Sequence, residues 1–406
     1  MTPLDGAVPG FPGGPRAFAR RRAGPGCAER RIVFKAVELL MVLDVAVIGG
    51  GVAGLSIAAG LVRDGRKLTV LEAEAAAGYH ASGRSAATLS MIYGNDLIVR
   101  LTADGVDFFL DPPPEFSEHE LLKVRGRMVI AREDQREALL EKYEGLRGDS
   151  VFLEGDDVLS DYPFFRPGYV DCAIVDIRGG DLDTNEILMG YARQVRAGGG
   201  EIRFNFRVAE IRREGGVWEI RPETGDAVRA KMIVNAAGAW ADEVARLAGL
   251  PPLGLAPKRR TACIVPPAEG LDVEDMPFVI DLDEEFYFRP EAGNILLSPA
   301  DETPSAPTDA QPEEIDIAIA VDRFEKATTL TVPRVLHKWS GLRTFAPDRV
   351  PVVGFDPLAQ NFFWYAGQGG YGFQIAPGLQ RFGTALVNGK GVPAGLKAAL
   401  SPGRLR

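Results

Sequence analysis

Residues 43–54 read LDVAVIGGGVAG, and this stretch decides the fold. Leu43 to Ile48 is a short apolar run that ends in glycine, which predicts a buried strand. The strand breaks into Gly49-x-Gly51-x-x-Gly54, and Val52 to Arg63 continues as an alanine- and leucine-rich helix. Leu68 to Leu71 predicts a second strand that ends at Glu72. Strand, glycine turn, helix and strand make a βαβ unit. Gly49 allows the tight turn, Gly51 a close backbone approach to a pyrophosphate, and Gly54 close packing of helix on strand. Free N–H groups and the dipole at the helix start favour the phosphates. Glu72, about 20 residues on, is placed to accept ribose hydroxyls. A glycine turn without a ligand is the bland alternative, and the flanking strand, helix and acid argue against it. The unit leaves NAD and FAD equally open.

The chain around this unit has 406 residues, which predicts two domains at roughly 100–200 residues each. Its hydrophobic share of 46% and charged share of 25% suit a globular protein with a sizeable core. A net charge of −10 argues against a nucleic-acid partner, and no apolar run is long enough to span a membrane. Cys27, Cys172 and Cys263 form no CxxC pair, and His80, His119 and His337 are scattered. Neither a disulfide framework nor a metal site is expected, and a cytoplasmic, reducing location is. Residues 1–40, rich in Gly, Pro, Ala and Arg, read as a disordered leader or as the product of an upstream start codon, with Met41 the natural start.

Further along, Ile202–Arg207, Glu210–Arg213 and Val217–Arg221 suggest an antiparallel meander turning at Gly215-Gly216 and Thr224-Gly225. Lys231 to Ala237 returns as an apolar strand that breaks at Gly238. Residues 303–314, TPSAPTDAQPEE, predict a polar surface loop. Gly367 to Gly372 predicts a glycine-rich turn, followed by a helix from about Pro377 to Val387.

Four separated motifs resolve the cofactor. They are Gly78-Tyr79-His80-Ala81-Ser82-Gly83-Arg84-Ser85-Ala86-Ala87, the strand Ile233 to Trp240, Gly341 to Asp348, and Gly367 to Gly372. In this order they resemble the D-amino-acid oxidase superfamily of FAD enzymes, and within it the D-arginine dehydrogenase type of D-amino acid dehydrogenase. Glycine and sarcosine oxidases are more distant relatives in the same resemblance, which runs from Met41 to about residue 390. It implies an α/β protein: a Rossmann-like FAD-binding domain (41–85, 177–249, 340–400) interleaved with a substrate domain (86–176, 250–339) on a mostly antiparallel sheet. It places Glu72 and Ala73 at the adenosine ribose, Arg84 and Ser85 by the pyrophosphate and flavin, and Val208 at the adenine. Ala237 and Gly238 make a second close approach. Gly369, Gly370, Tyr371, Gly372, Phe373 and Gln374 lie along the flavin, where a helix start stabilises negative charge on the reduced ring. No cysteine lies in the C-terminal flavin segments, so the FAD is expected to be non-covalent.

The resemblance also supplies a substrate site. Flavin amine oxidation needs a neutral amine, an α C–H facing the flavin N5, and a held carboxylate, for which arginine is the natural clamp. Arg260 and Arg343 match the carboxylate-binding positions, Tyr93 and Tyr287 the tyrosines that close over the substrate, and Gly370 and Gln374 positions near the amino group. A solvated charge is the bland reading for Arg260, and a core aromatic for either tyrosine. Thr88 stands where the D-arginine dehydrogenases have histidine, Ser90 where they have threonine, and Arg127 where they have glutamate. An arginine at 127 would repel D-Arg and D-Lys and would tolerate neutral side chains or attract an acidic one; facing solvent, it would say nothing.

The expected reaction is oxidation of a D-amino acid to an imino acid, hydrolysed to a 2-oxo acid and ammonia. Oxygen or a quinone would re-oxidise the flavin, and any membrane association would be peripheral, at the inner face. Glycine or sarcosine oxidation, 2-hydroxy acid oxidation and a flavoprotein subunit of a larger amine dehydrogenase remain as alternatives. A nucleotide-binding module without redox chemistry would leave the flavin-side motifs without a purpose.

Overall fold

In the computed structural model, which describes residues 42–144 and 150–406, Leu43–Ile48 is a central strand of a mixed eight-stranded sheet. It runs parallel to Leu68–Leu71 on one side and to Val228–Asn235 on the other. Val45 to Ile48 are buried, as an apolar strand covered on both faces must be. The expectation for residues 1–40 lies outside the described residues.

Val228–Asn235 pairs antiparallel with Val217–Pro222 through its first half and parallel with Phe362–Ala366 through its second. Val208–Glu214 and Val217–Pro222 form a hairpin over Gly215 and Gly216, whose φ angles of 57° and 82° are those of a two-residue turn. The expected meander needs one correction. Its first piece, Ile202–Arg207, overlaps the strand Glu201–Arg203, which pairs parallel with Leu68–Leu71 at the opposite edge of the sheet. Asn205, at φ 56°, ends it, and its N–H and that of Phe206 donate to the carbonyls of Glu74 and Glu72. The chain therefore crosses the ends of the parallel strands instead of turning back.

A second sheet has nine strands, paired antiparallel except for Arg127–Ala131 against Phe278–Asp281. The helix Glu314–Ala327 sends Ile317, Ala320 and Phe324 into its core. Thr88–Leu89, Gly180–Leu182 and Leu122–Val124 form a small third sheet. The fold is mixed α/β, with parallel and antiparallel strands in both larger sheets. Residue 340, a boundary drawn from the sequence, falls inside the strand His337–Phe345, which lies wholly along Ala256–Val265.

The last long helix, Gly372–Val387, begins five residues before the expected Pro377, which lies inside it. Proline favours a helix's first turn, and that preference misplaced the start. Among the described residues no helix is long and apolar enough to cross a membrane, and no cluster of His, Cys, Asp and Glu could hold a metal ion.

Candidate functional site

A cavity of about 440 Å³ runs past the ends of the parallel strands, from Glu72 and Val208 to Arg343 and Gly370. The glycine motif shapes its first wall. Gly49 has φ 109°, and a Cβ there would sit closer than 3.0 Å to the Ala236 carbonyl oxygen. A Cβ at Gly54 would meet the Gly49 carbonyl. Only glycine lets these backbone segments touch. Gly54 thus packs helix on strand, while Gly49, Gly51 and Ala73 line the cavity.

Glu72 is 8% exposed. Its Oε2 accepts from the Gly50 N–H at 2.6 Å and its Oε1 from the Glu74 N–H at 2.9 Å. Burial pushes the carboxyl above its ordinary range, and the two N–H groups oppose that shift. A carboxylate has about four lone-pair positions, so two remain for ribose hydroxyls. Ser82, which the sequence reading quoted without a role, accepts from the Val52 N–H at 3.0 Å and so occupies one of the free donors at the helix start.

Val208 lines the cavity at the Glu72 end, and Ser85, Ala237 and Gly238 line it further along. Gly238 has φ 53°, and a Cβ there would point into open space. Arg84 also lines the cavity, but its guanidinium is already engaged. Nη1 donates to the carbonyls of Ala310 (3.1 Å) and Ser340 (2.9 Å), and Nη2 pairs with Asp309. The stretch expected to be a surface loop therefore reaches the cavity: Thr303–Pro304 pairs with Lys258 and Arg259, and Ala310 is buried on the cavity wall. Two aromatic groups that the motifs contain without an assigned role, His80 and Trp240, pack together with ring centroids 4.6 Å apart on the same wall.

At the far end, two strands bring the arginines together. Lys258 stands opposite Arg343 and Arg260 opposite Gly341 in the antiparallel ladder. Alternation then puts Arg260 and Arg343 on one face as diagonal neighbours, and Arg259 on the other. Arg259 accordingly pairs with Glu313 and Asp316 behind the sheet. Arg260 is 7% exposed, donates from Nε to the Asp301 carbonyl at 2.8 Å, and leaves Nη2 without a hydrogen-bond partner. Burial and the neighbouring Arg343 charge both push its pKa down. Arg343 Nη1 lies 3.5 Å from the Tyr93 hydroxyl.

A small pocket of about 20 Å³ adjoins this end, lined by Thr88, Tyr93, Arg127, Arg260, Tyr287 and Arg343 among others. Tyr287 stacks on Phe278 at 5.3 Å, and Tyr93 packs against Tyr371 at 4.8 Å. Gly370 lines both spaces, and a Cβ there would lie 2.8 Å from Arg343 Nη1. Gly369, Gly372 and Phe373 line the larger cavity at the start of the last long helix. Three expected residues stand back from both spaces. Gln374 is buried, donates to the Tyr93 carbonyl at 3.3 Å, and has its Oε1 unpartnered. Ser90 donates to Asp176 Oδ2 at 2.8 Å, and Tyr371 reaches the site through Tyr93. Thr88 lines the small pocket while its hydroxyl donates to the Gly180 carbonyl at 2.8 Å.

The long cavity, its glycine cradle and the helix start at Gly372 fit a flavin dinucleotide. Cys172 and Cys263 are buried away from the cavity, and burial pushes their thiols up to about 11 and about 12.

A family model described as DAO, FAD dependent oxidoreductase, matches residues 44–385. Mitochondrial dimethylglycine dehydrogenase of Mus musculus is 24% identical over 367 residues, covering 84% of this chain and 41% of that protein. The chain thus spans about two fifths of the length of this curated relative. L-proline dehydrogenase from P. horikoshii superposes with a TM-score of 0.77 at 20% identity, covering 89% of this chain and 97% of that one. Glycine oxidase from Bacillus cereus ATCC 14579 gives 0.75 at 21% identity, covering 88% and 98%. These names reach the superfamily drawn from the motifs and do not carry its finer form, the D-arginine dehydrogenase type.

Proposed function

The chain belongs to the FAD-dependent oxidoreductase family, and on that premise we propose that it oxidises the C–N bond of a small amino acid. FAD is its cofactor; when bound, it accepts the hydride that leaves the substrate α-carbon. Gly49, Gly51, Glu72, Ala73, Val208, Ala237 and Gly238 would hold the nucleotide half, and Gly369, Gly370, Gly372 and Phe373 the flavin, with 41–85, 177–249 and 340–400 as the FAD-binding domain.

The observation that carries the reading is the pair Arg260 and Arg343, side by side on adjacent strands at the flavin end of the cavity, with no hydrogen bond to Arg260 Nη2. A carboxylate between two guanidinium groups gains charge-assisted, directional hydrogen bonds. Holding it there fixes which α C–H faces the ring, and orientation of this kind supplies a large part of the rate. Tyr93 and Tyr287 would close the site. Among the described residues the small pocket carries no carboxylate or imidazole on its wall. The amine would therefore bind neutral, its proton already lost to water, and the imine formed would be hydrolysed by water to a 2-oxo acid and an amine.

D-amino acids and glycine-type amines are the two substrate groups in view. The second is favoured by the names of the relatives, which act on dimethylglycine and glycine. An anaerobic absorbance spectrum, before and after adding D- and L-amino acids, glycine, sarcosine and dimethylglycine, tests the reading. Bleaching by at least one of these amines is expected, with the D/L and N-methyl comparisons choosing between the groups. A flavin that none of them bleaches overturns it.

A further inference from the structure

We propose that the substrate carries a second carboxylate, bound by Arg127 while Arg260 and Arg343 hold the first, so that the enzyme acts on an amino dicarboxylate. This rests on the reading that an amino acid is oxidised in this cavity. Arg127 opens the strand Arg127–Ala131, every residue of which is buried. It is 2% exposed, its guanidinium lies 3.9 Å from the centroid of Tyr93 and 4.8 Å from that of Phe278, and its Nε has no partner. Among the described residues no ion pair to Arg127 is present.

Of the acids nearby, Glu284 acts on Arg127, Arg260 and Arg343 through its charge but forms no ion pair with any of them among the described residues, and the other two are already committed. Asp176 stands directly across the ladder from Arg127, yet its carboxylate accepts from the Ser90 hydroxyl and from the N–H groups of Met91, Arg178 and Gly179. Glu302 approaches Arg260 at 3.6 Å, but both of its oxygens are bonded to Arg349 and one also to Lys258, all at 2.8 Å. Arg127, Arg260 and Arg343 thus share one small wall with a surplus of positive charge.

A buried cation without a counter-ion is costly, and contact with two aromatic faces offsets only part of that cost. The shape of the void agrees with a missing anion. At about 20 Å³, it has room for a group of roughly one or two water molecules in size, which suits a carboxylate and excludes a bulky apolar side chain. A cationic side chain would meet Arg127 directly.

The test uses the holoprotein and non-reactive anions matched in length: succinate against butyrate, and glutarate against valerate. Binding is read from perturbation of the flavin spectrum and from calorimetry. Each dicarboxylate is expected to bind at least about tenfold more tightly than its monocarboxylate, as one further charge-assisted pair predicts. Arg127→Met should erase that preference and leave monocarboxylate affinity within about threefold. Equal affinities in the wild type overturn the proposal even if the variant does not fold, and so does a preference that survives Arg127→Met. Anaerobic addition of D-aspartate and D-glutamate separates the two layers. Dicarboxylate binding without bleaching by any amine keeps the Arg127 site and sinks amine oxidation. Bleaching by monocarboxylate amines without a dicarboxylate preference does the reverse.

Discussion

At the Glu72 end of the cavity the polar groups have partners: Glu72 takes the N–H groups of Gly50 and Glu74, and Ser82 takes that of Val52. At the Arg343 end, Arg127 Nε and Arg260 Nη2 are buried without a hydrogen-bond partner, with Glu302 3.6 Å from the latter. The first end is complete as protein and receives the nucleotide through backbone and a few spare lone pairs. The second is electrically unfinished and gains most when an anion enters. On the proposed reading, recognition of the cofactor would be a matter of shape and recognition of the substrate a matter of charge, and each should be breakable without the other.

The largest effect is expected at the unfinished end. Arg343→Met should lower kcat/KM by about thirty- to several-thousandfold, since removing one partner of a buried charge pair costs about 2–5 kcal/mol. Flavin content should stay unchanged. Arg343→Lys should recover little, because an ammonium cannot reproduce the two-pronged geometry of a guanidinium. Loss of flavin together with activity would mean that the two ends are not separable.

The reverse break is Gly49→Ala. Its φ of 109° and its approach to the Ala236 carbonyl leave no room for a methyl group. Strain of about 1–3 kcal/mol predicts FAD binding weakened by about ten- to a hundredfold. The absorbance ratio of flavin to protein measures this. Turnover per bound flavin should remain close to wild type.

Glu72→Gln sharpens the comparison with a smaller effect, about tenfold in FAD affinity, the scale of a hydrogen bond to a charged group. It also has a pH signature. Burial raises the folded pKa of Glu72 above its unfolded value, so its contribution to the stability of the FAD-free protein is fully present below about 4.3 and is lost as pH rises through the raised value. Thermal melts of the apoprotein across that interval should show the decline in the wild type and lose that component in Glu72→Gln. Identical slopes would mean that Glu72 titrates at its ordinary value.

The same contrast explains what was legible in the sequence. The nucleotide end is written within 30 residues as strand, glycines, helix and acid, because local backbone geometry makes it. The pairing of Arg260 with Arg343 depends on a strand register between segments some 80 residues apart, which no periodicity encodes; only the resemblance to known enzymes pointed to both. The burial of Arg127 did leave a trace, since Met128-Val129-Ile130-Ala131 follows it without a polar break and the strand Arg127–Ala131 is buried throughout. The piece Ile202–Arg207 was misplaced because its neighbours read as hairpin strands, and strand order across a parallel sheet cannot be seen from alternation. The polar composition of residues 303–314 hid Ala310, whose backbone carbonyl, not its side chain, meets Arg84.

That last contact gives the smallest and most local prediction. Asp309 pairs with Arg84 and accepts from the Tyr79 hydroxyl at 3.4 Å, tying the loop to the cavity wall midway between the two ends. Asp309 is about half exposed, and an exposed pair is worth about 0.2–1 kcal/mol. Asp309→Asn should therefore speed release of FAD by about fivefold or less and leave the relative rates on different amines unchanged. The effect should shrink at high salt, where the pair in the wild type is already screened. Stopped-flow dilution into an apo-flavoprotein trap reads the release rate directly. A change in amine preference instead would mean that the loop acts on the Arg343 end, and the division of the cavity into a part read by shape and a part read by charge would fail at its midpoint.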